Sequence, residues 1–382
     1  MNKKLRIAIA AKGRFHLLDV ARELSALGCD VKFYSLVPKA RAVRFGLPKE
    51  CHVSLLPLMA PMVAWELFFP KCLPALRERL STLALNRAVI ARLRRCDVFI
   101  CMSGVYVEAA AYARRRYGAR IYLHRGSRHI CSQDEILSLI PGAERPTKFM
   151  VQRELDGYKL ADQIVIPSSH VKSSFERDPS SFEKLFQNTY GVDVSAFPYR
   201  GDRAVKDEFI FLFVGSWSLQ KGCDLLPEAI KRVDHIRLRH VGPIVDLPFP
   251  RGDPRFEHIA TVDQSRLPEF YAQADALVHA SRQEGLSNVI TQALASGLPV
   301  VCTDRTGGVD LAHTPRLAAR ITVVRHGDIE ALAAAMTALR DRLRRGERLP
   351  PLTVADREHL SWSSYARRYV DQLLTTSLNN HK

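Results

Sequence analysis

The sequence lacks the patterns that identify transmembrane, secreted or zinc-binding proteins. Its eight cysteines are scattered, and none forms a CxxC pair or a Cys/His spacing typical of a metal site. No apolar run is long enough for a clean transmembrane helix, since Pro57, Pro61 and Glu66 interrupt the nearest candidate, residues 53–70. The first residues also lack the apolar core of a signal peptide. We therefore expect a cytoplasmic protein with reduced thiols.

Acidic residues are scarce relative to basic ones. The chain has 40 Asp and Glu against 56 Lys and Arg, which gives a formal net charge of +16. Such a surplus favours nucleic acid, an anionic membrane surface or phosphorylated substrates as partners. The sequence has no zinc-finger, RNP-like or helix-turn-helix pattern, so we expect no nucleic-acid partner.

The order of apolar segments predicts an α/β protein with two doubly wound domains. At 382 residues the chain is long for one domain. A strand at residues 5–11, a helical pattern ending at Gly28 and a strand at residues 31–34 form an opening βαβ unit. The pattern restarts at residues 209–214. Further strands are predicted at residues 97–102, 120–123, 163–167, 236–241, 274–280 and 298–302, and a helix at residues 224–233.

These segments give domain boundaries and a place for a ligand. We predict a first domain at residues 1–195, a second at residues 206–355 and a terminal helix at residues 356–382, with a linker near residues 190–206. Ligands of doubly wound sheets bind at the carboxyl ends of the strands. A cleft between the two domains is therefore the expected site.

Residues 281–300 contain the most specific motif. Glu284 lies in a polar loop, Gln292 lies on the helix that follows, and Gly297 ends that helix before a buried strand. The helix start near Ser287 offers unpaired N–H groups and a positive dipole end, which suit an anion such as a diphosphate. A carboxylate and an amide beside an anion site can hold a sugar nucleotide.

This motif resembles the signature of retaining GT-B glycosyltransferases of family 4, in which a second glutamate follows the first by eight positions. Glu284 matches the first glutamate and Gln292 replaces the second. The resemblance is strongest over residues 209–311 and weaker before residue 120. It implies a GT-B fold: two Rossmann-like domains facing a central cleft, with the C-terminal helix crossing back to the first domain.

The resemblance also implies a donor site in the second domain. Lys221 would hold the diphosphate, Glu284 the donor sugar and Gln292 the ribose, while Ser216 stands where the family has an arginine. Arg282 and Arg305 are candidates for the missing second cation. The donor-binding residues that follow from the resemblance are Gly13, Gly215, Ser216, Lys221, Val262, Glu284, Leu286, Ser287, Asn288, Gln292, Gly307 and Gly308.

In the first domain, polar residues crowd the end of one strand. The resemblance makes His124 a pocket histidine and, with Lys221 and Glu284, a catalytic residue. A strand-end histidine that caps a backbone carbonyl and a solvated lysine in a turn are the plain structural alternatives. The predicted acceptor-binding residues are Arg14, Arg125, Ser127 and His129.

A retaining enzyme of this kind needs no separate nucleophile, because the leaving phosphate accepts the proton of the acceptor. The sequence offers no carboxylate pair and no metal-ligand cluster. We therefore expect no metal and no cofactor, with the nucleotide sugar acting as a co-substrate. The alternatives are a nucleotide-sugar epimerase of the same fold and a non-catalytic sugar-nucleotide-binding protein, the latter favoured by Gln292 and Ser216.

A basic segment suggests the acceptor. Residues 71–95 carry seven cations against the single acid Glu78, and they follow an apolar and aromatic stretch at residues 65–69. This pairing is typical of an interfacial membrane segment, although a solvated helix face is the alternative. We expect a glycan or lipid-linked acceptor, as in surface-polysaccharide or lipopolysaccharide synthesis, and peripheral contact with an anionic membrane.

Overall fold

The computed structural model describes residues 4–69, 72–199, 201 and 208–379, and these form two parallel sheets flanked by helices. Lys71, one of the seven predicted cations, and most of residues 200–207 in the predicted linker lie outside the described residues. The first sheet has the order β3-β2-β1-β4-β5-β6-β7. Its strands are β1 (Arg6–Ala10), β2 (Asp30–Ser35), β3 (His52–Ser54), β4 (Val98–Met102), β5 (Arg120–His124), β6 (Gln163–Ile166) and β7 (Leu185–Gln187).

Helices cover this first unit on both faces. They are α1 (Phe15–Ala26), α2 (Lys39–Arg44), α3 (Leu56–Phe68), α4 (Pro74–Arg92), α5 (Val107–Tyr117), α6 (Ile130–Ser138), α7 (Lys148–Leu160), α8 (Ser169–Ser173) and α9 (Pro179–Phe182). The central strands are apolar and buried over most of their length, because both faces of a parallel sheet lie under helices.

The second unit repeats the plan with the strand order β10-β9-β8-β11-β12-β13. Its strands are β8 (Phe209–Val214), β9 (Ile236–Val241), β10 (Phe256–Ile259), β11 (Ala276–His279), β12 (Val300–Thr303) and β13 (Ile321–Val324). Its helices are α10 (Leu225–Ile230), α11 (Leu267–Gln273), α12 (Asn288–Ala295), α13 (Pro315–Ala318) and α14 (Ile329–Arg344), with short 3-10 helices at Gln264–Arg266 and Gly308–Leu311.

The C-terminal helix returns to the first unit. After α15 (Val354–His359), α16 (Trp362–Asn379) packs against α1 with Tyr365 and Tyr369 fully buried. Arg120 donates from Nη2 to the carbonyl of Leu373 at 3.0 Å, and Asn188 donates from Nδ2 to the carbonyl of Tyr365 at 3.1 Å. The predicted fold, two Rossmann-like units with a helix crossing back, is confirmed.

The two units meet where the carboxyl ends of their strands face each other. Gly126 follows β5 and Gly285 follows β11, and a Cβ atom added to Gly285 would lie 1.8 Å from the Gly126 carbonyl oxygen. Ser168 donates from Oγ to the carbonyl of Gly285 at 2.6 Å. The cleft is therefore narrow beside the predicted donor loop. In the part of the chain that the structure describes, no helix has the length and apolarity needed to cross a membrane.

Candidate functional site

The loop between β11 and α12 is fixed by hydrogen bonds to the loops on either side. Ser281 donates from Oγ to the carbonyl of Gln220 at 3.1 Å, and Thr303 donates from Oγ1 to the carbonyl of Ser281 at 2.6 Å. The backbone N–H of Glu284 donates to the carbonyl of Arg305 at 3.1 Å. Three loops at one edge of the sheet therefore hold the Glu284 side chain in place.

Glu284 stands between a lysine and a histidine. Its Oε1 accepts from the ammonium of Lys221 and lies 3.2 Å from Nε2 of His279, which also lies 3.0 Å from Oγ of Ser287. Burial raises the pKa of Glu284, but Lys221 and His279 outweigh it and lower that pKa to about 2. Glu284 is therefore a carboxylate at neutral pH, held at the start of α12.

His279 was not predicted from the sequence. It is the last residue of β11, it is almost fully buried, and burial lowers its pKa. Its place at the carboxyl end of a strand, just before the loop of Glu284, was the signal that could have identified it.

Gln292 contacts a tyrosine inside the second unit. It lies on α12 and is buried, and its Oε1 accepts a hydrogen bond from the hydroxyl of Tyr271 at 2.8 Å. Its Nε2 has no hydrogen-bond partner among the described residues. The amide nitrogen of Gln292 therefore remains available to donate hydrogen bonds to the ribose that the resemblance assigns to it.

The two arginines considered for the second cation differ in their partners. Arg282 makes two short contacts with the carboxylate of Asp224, at 2.5 and 2.7 Å, and is neutralised by it. Arg305 donates from Nε to Nδ1 of His326 at 3.3 Å, and no carboxylate pairs with it among the described residues. Arg305 is therefore the better placed of the two to bind an anion.

Arg128 of the first unit lies near Arg305. Arg128 is buried and donates to Oγ of Ser132 at 3.1 Å and to the carbonyl of His170 at 2.9 Å. Burial and the charge of Arg305 lower the pKa of Arg128 to about 10. Two guanidinium groups from different units thus lie close enough for their charges to interact, and Asp304 and Glu135 offset only part of that charge, which favours binding of an anion.

His124 does not reach the cleft. It is completely buried, with Nδ1 2.9 Å from Nε2 of His16 and Nε2 3.1 Å from the hydroxyl of Tyr369. Burial, and secondarily His16, lower its pKa well below the ordinary value. Both ring nitrogens have partners inside the first unit, so the structure shows no free nitrogen on His124, and its catalytic role stays a prediction. His16 itself was missed, although it lies in the first turn of α1, two residues after Arg14.

Arg125 and His129 also have internal partners. Arg125 donates to Glu154 at 2.9 Å, to Gln133 at 2.5 Å and to the Arg128 carbonyl at 2.8 Å. His129 caps α6 by accepting from the N–H of Cys131 at 3.3 Å. Arg125 is thus paired with a buried carboxylate, whereas Nε2 of His129 is buried without a hydrogen-bond partner among the described residues, and the acceptor-binding role of both residues stays a prediction.

The other two predicted acceptor residues lie at the junction between the units. Ser127 accepts a hydrogen bond from Nε2 of Gln283. Arg14 donates to Oε1 of Gln264 at 2.7 Å and stacks on the ring of Phe45, 3.7 Å from its centroid. Both residues therefore remain beside the cleft and connect its two walls.

Several predicted glycines stand where a side chain cannot fit. Gly215 has a φ of 139°, and its carbonyl lies 2.1 Å from where a Cβ of Gly242 would be. Gly307 has a φ of 75°, and a Cβ on Gly308 would lie 2.5 Å from Sγ of Cys302. These loops bring backbone close to backbone at the site.

The remaining predicted donor-binding residues lie around these loops, and their side chains differ in exposure to solvent. Leu286 is buried against Gly307, Ser287 precedes α12, and Asn288 begins that helix with an exposed side chain. Val262 lies in the loop after β10 and is partly buried. The structure thus brings Lys221 together with its partner Glu284 and with the start of α12. Gly13 lies in the loop after β1, and Ser216 lies in the loop after β8.

No group of three His, Cys, Asp or Glu side chains that could hold a metal ion occurs among the residues described.

Comparison with known proteins finds a family that the second unit resembles. Residues 208–342 match the family described as glycosyl transferases group 1. The chain is 28% identical over 162 residues to a GDP-mannose-dependent alpha-mannosyltransferase of Mycobacterium tuberculosis (strain CDC 1551 / Oshkosh). That match covers 40% of this chain and 42% of the mannosyltransferase, so the chain aligns with less than half of that relative's length.

Solved structures match the whole chain. Sucrose-phosphate synthase from Thermosynechococcus elongatus superposes with a TM-score of 0.71 at 16% identity, covering 99% of this chain and all of that one. The chain has a GT-B fold. The lipopolysaccharide outer core galactosyltransferase WaaB, in its apo form, superposes with a TM-score of 0.65 at 16% identity, covering 97% of this chain and all of that one.

Proposed function

We propose that this GT-B protein is a glycosyltransferase that moves a sugar from a nucleotide-diphosphate sugar to a glycan or lipid-linked acceptor. The observation that carries the proposal is the contact of Lys221 and His279 with Glu284, at the loops after β8 and β11 and beside the junction of the units. The match of residues 208–342 to glycosyl transferases group 1 and the name of the mannosyltransferase relative support it.

In this proposal the donor binds between Lys221 and Glu284 and separates the two side chains. The diphosphate lies against the ammonium of Lys221, and Glu284 accepts hydrogen bonds from hydroxyl groups of the donor sugar. Negative charge grows on the leaving diphosphate as the glycosidic bond breaks. A cation held in a water-poor cleft stabilises that charge more in the transition state than in the ground state.

Arg305 and Arg128 supply the charge that Ser216 lacks. The family arginine after Gly215 is replaced by a neutral hydroxyl, whereas Arg305 and Arg128 form no ion pair with a carboxylate among the described residues. One comes from each unit, so the diphosphate would be bound across the closed cleft.

The reaction we propose retains the anomeric configuration. The bond from C1 to the phosphate oxygen breaks, and the bond from C1 to the acceptor oxygen forms on the same face. The acceptor proton passes to the leaving phosphate oxygen, so neither a protein nucleophile nor a metal is required. Two measurements test this step. The product anomer follows from the NMR coupling at C1, and activity should persist in EDTA.

The acceptor proposal rests on a surface of the first unit and on the relatives. Exposed apolar residues and arginines lie together on α3 and α4, and WaaB is named as a lipopolysaccharide enzyme. We propose surface-polysaccharide or lipopolysaccharide assembly with peripheral contact to an anionic membrane. Flotation with anionic and neutral liposomes tests this contact, and absence of binding to anionic liposomes at low salt contradicts it.

The Glu284→Ala variant tests the site. We expect donor hydrolysis or sugar transfer to fall at least about 100-fold, because the variant removes a group that contacts the donor in the transition state. Glu330→Ala is the matched control, since Glu330 is an exposed carboxylate paired with Arg232 on the surface. Equal activity of wild type and Glu284→Ala rejects the site assignment.

The second candidate is a non-catalytic protein that binds sugar nucleotides. It is favoured by the neutral residues Gln292 and Ser216 and by the hydrogen bond that occupies the Gln292 carbonyl. Thermal shift with UDP, GDP, ADP, CMP and dTDP identifies the nucleotide, because a bound ligand raises the Tm. A clear shift without turnover of the matching nucleotide sugars across an acceptor panel supports this candidate over the enzyme. An epimerase of the same fold would instead convert the donor sugar without an acceptor.

A further inference from the structure

A polar pocket lies between α3 and α4, beside the carboxyl end of β1 and apart from the Lys221–Glu284 site. Its volume is about 220 Å³. This is below the roughly 300–1,000 Å³ of pockets for drug-sized ligands, so it suits a ligand no larger than a sugar unit or two. Its lining residues are Lys12, Glu66, Pro74, Arg77, Glu78, Ser81 and Thr82.

The pocket lining is rich in hydrogen-bonding groups of balanced charge. The ammonium of Lys12 contacts both carboxylate oxygens of Glu66, at 2.8 and 3.0 Å, and Ser81 donates from Oγ to Oε1 of Glu66 at 3.0 Å. The other two charged residues, Arg77 and Glu78, are also of opposite sign. A neutral polyhydroxyl group can both donate and accept hydrogen bonds in this pocket, whereas the pocket has no net charge that would attract a free ion.

An exposed apolar surface borders this pocket. We name it the apolar rim, and it consists of Leu67, Phe68, Phe69, Leu73, Leu76, Leu80 and Leu83. The three α3-side residues are 70%, 75% and 62% exposed. The four leucines recur at three- and four-residue spacing, and Leu76, Leu80 and Leu83 form one stripe along α4 that begins next to Leu73, the residue before the helix. Solvent contact of so many neighbouring large apolar side chains marks a binding surface.

Arg77 connects the rim with the pocket. It lines the pocket and donates from Nη1 to the carbonyl of Phe69 at 3.2 Å. The polar cavity and the apolar surface are therefore adjacent parts of one feature. The complementary ligand is amphiphilic, with a small polyhydroxyl head and a hydrocarbon chain.

The position of the pocket fits a substrate. Lys12 begins the loop after β1, and two residues later Arg14 contacts Gln264 of the second unit at 2.7 Å. The loop thus runs from the pocket to the junction between the units. Exposed arginines on α4, including Arg79 and Arg87, flank the stripe and suit a lipid surface better than a neutral protein partner.

We propose that this pocket and the apolar rim bind a glycolipid, with a saccharide unit in the pocket and the hydrocarbon chain on the rim. The proposal rests on the proposed function, since it makes the acceptor of the transferase a lipid-linked sugar. It assigns recognition of that acceptor to Glu66 and Ser81 for the sugar and to Leu76 and Leu80 for the chain.

Calorimetric binding of two probes, maltose and dodecyl β-D-maltoside below its critical micelle concentration, tests the proposal without any donor. Each buried methylene raises affinity about fourfold, so burying only two or three gives dodecyl maltoside an advantage of about tenfold or more. Equal affinities for the two probes overturn the role of the rim.

Variants separate the two parts of the ligand. Ser81→Leu fills the pocket and should weaken both probes, and Glu66→Gln keeps the shape and should weaken maltose about fivefold or more by loss of a charged acceptor. The double variant Leu76→Ser/Leu80→Ser should remove the advantage of the dodecyl chain alone. Leu374→Ser, at a leucine exposed on α16, is the matched control and should change neither affinity.

The contradicting outcomes are separate from those of the donor site. Unchanged binding of both probes by Ser81→Leu and Glu66→Gln overturns the pocket, once thermal melts show that both variants are folded. Concentration-dependent dimerisation that Leu76→Ser/Leu80→Ser abolishes, with no dodecyl maltoside binding, overturns the glycolipid in favour of a second copy of the chain. Nucleotide binding and donor hydrolysis do not depend on these residues, so they report on the proposed function independently.

Discussion

Replacing Lys221 by methionine tests the electrostatics of the site most directly. The pKa of Glu284 is about 2 against an ordinary 4.5, which corresponds to about 3 kcal/mol of preference for the charged form. The carboxylate is 15% exposed and His279 supplies part of the effect, so we assign about 2 kcal/mol to Lys221. We expect Lys221→Met to lower the free energy of unfolding at pH 7 by about 2–3 kcal/mol.

The pH dependence gives the sign of this effect. In the wild type the carboxylate of Glu284 stabilises the fold above pH 4.5, and this contribution is lost as pH falls toward about 2. In the variant, burial without Lys221 raises the pKa of Glu284, so protonation relieves the unpaired charge at mildly acidic pH. The difference in stability between wild type and variant should therefore be largest near pH 7 and shrink below about pH 4.5.

Urea denaturation at pH 7, 5.5 and 4 measures this difference. Lys231→Met is the control, because Lys231 pairs with Glu228 while both side chains are exposed, and it should cost at most about 1 kcal/mol. Adding Glu284→Gln to Lys221→Met should restore part of the loss, since no buried charge then remains unpaired. A loss for Lys221→Met no greater than that of the control, or one independent of pH, refutes the reasoning.

Three further predictions concern neighbouring groups. Gln292→Glu should tighten nucleoside diphosphate binding about fivefold, because a charged acceptor strengthens hydrogen bonds to ribose hydroxyls; titration calorimetry measures this, and weaker binding contradicts it. Arg305→Met should weaken that binding about tenfold, whereas Arg282→Met, which loses an arginine already neutralised by a carboxylate, should weaken it less; equal losses contradict the assignment. Burial lowers the pKa of His16 to about 3, so the stability of the fold should decrease as the pH drops from about 6.5 toward 3. The Tm of the His16→Gln variant should therefore depend less on pH over this window. A pH dependence of Tm equal to that of the wild type contradicts the role of the buried ring.

The fold was largely predictable because its signals are local. Apolar runs such as residues 209–214 become β8 at the same positions, and the stop at Gly28 follows from its φ of 88° after α1. The predicted ends of helices and strands differ from the observed ends where the chain leaves regular geometry. The helix predicted at residues 224–233 is shorter, because the chain turns after Ile230 and Arg232 donates to the carbonyl of Ala229.

The site was less predictable because its roles depend on contacts between distant residues. A sequence shows that His124 ends a strand, but not that Tyr369, far along the chain, covers it. Arg125 likewise reads as a free cation until Glu154 is found beside it. The Lys221 and Glu284 positions were predicted near one another because each belongs to a loop after a parallel strand.

The contact between Gly126 and Gly285 makes the closure of the cleft sensitive to a single methyl group. With no side chain between the two backbones, even alanine at position 285 would act as a wedge between the units. The added methyl group would keep the two units apart without altering any charged group of the site. The close approach of the two units at this point therefore depends on the Cβ atom that Gly285 lacks, because that atom would occupy the place of the Gly126 carbonyl.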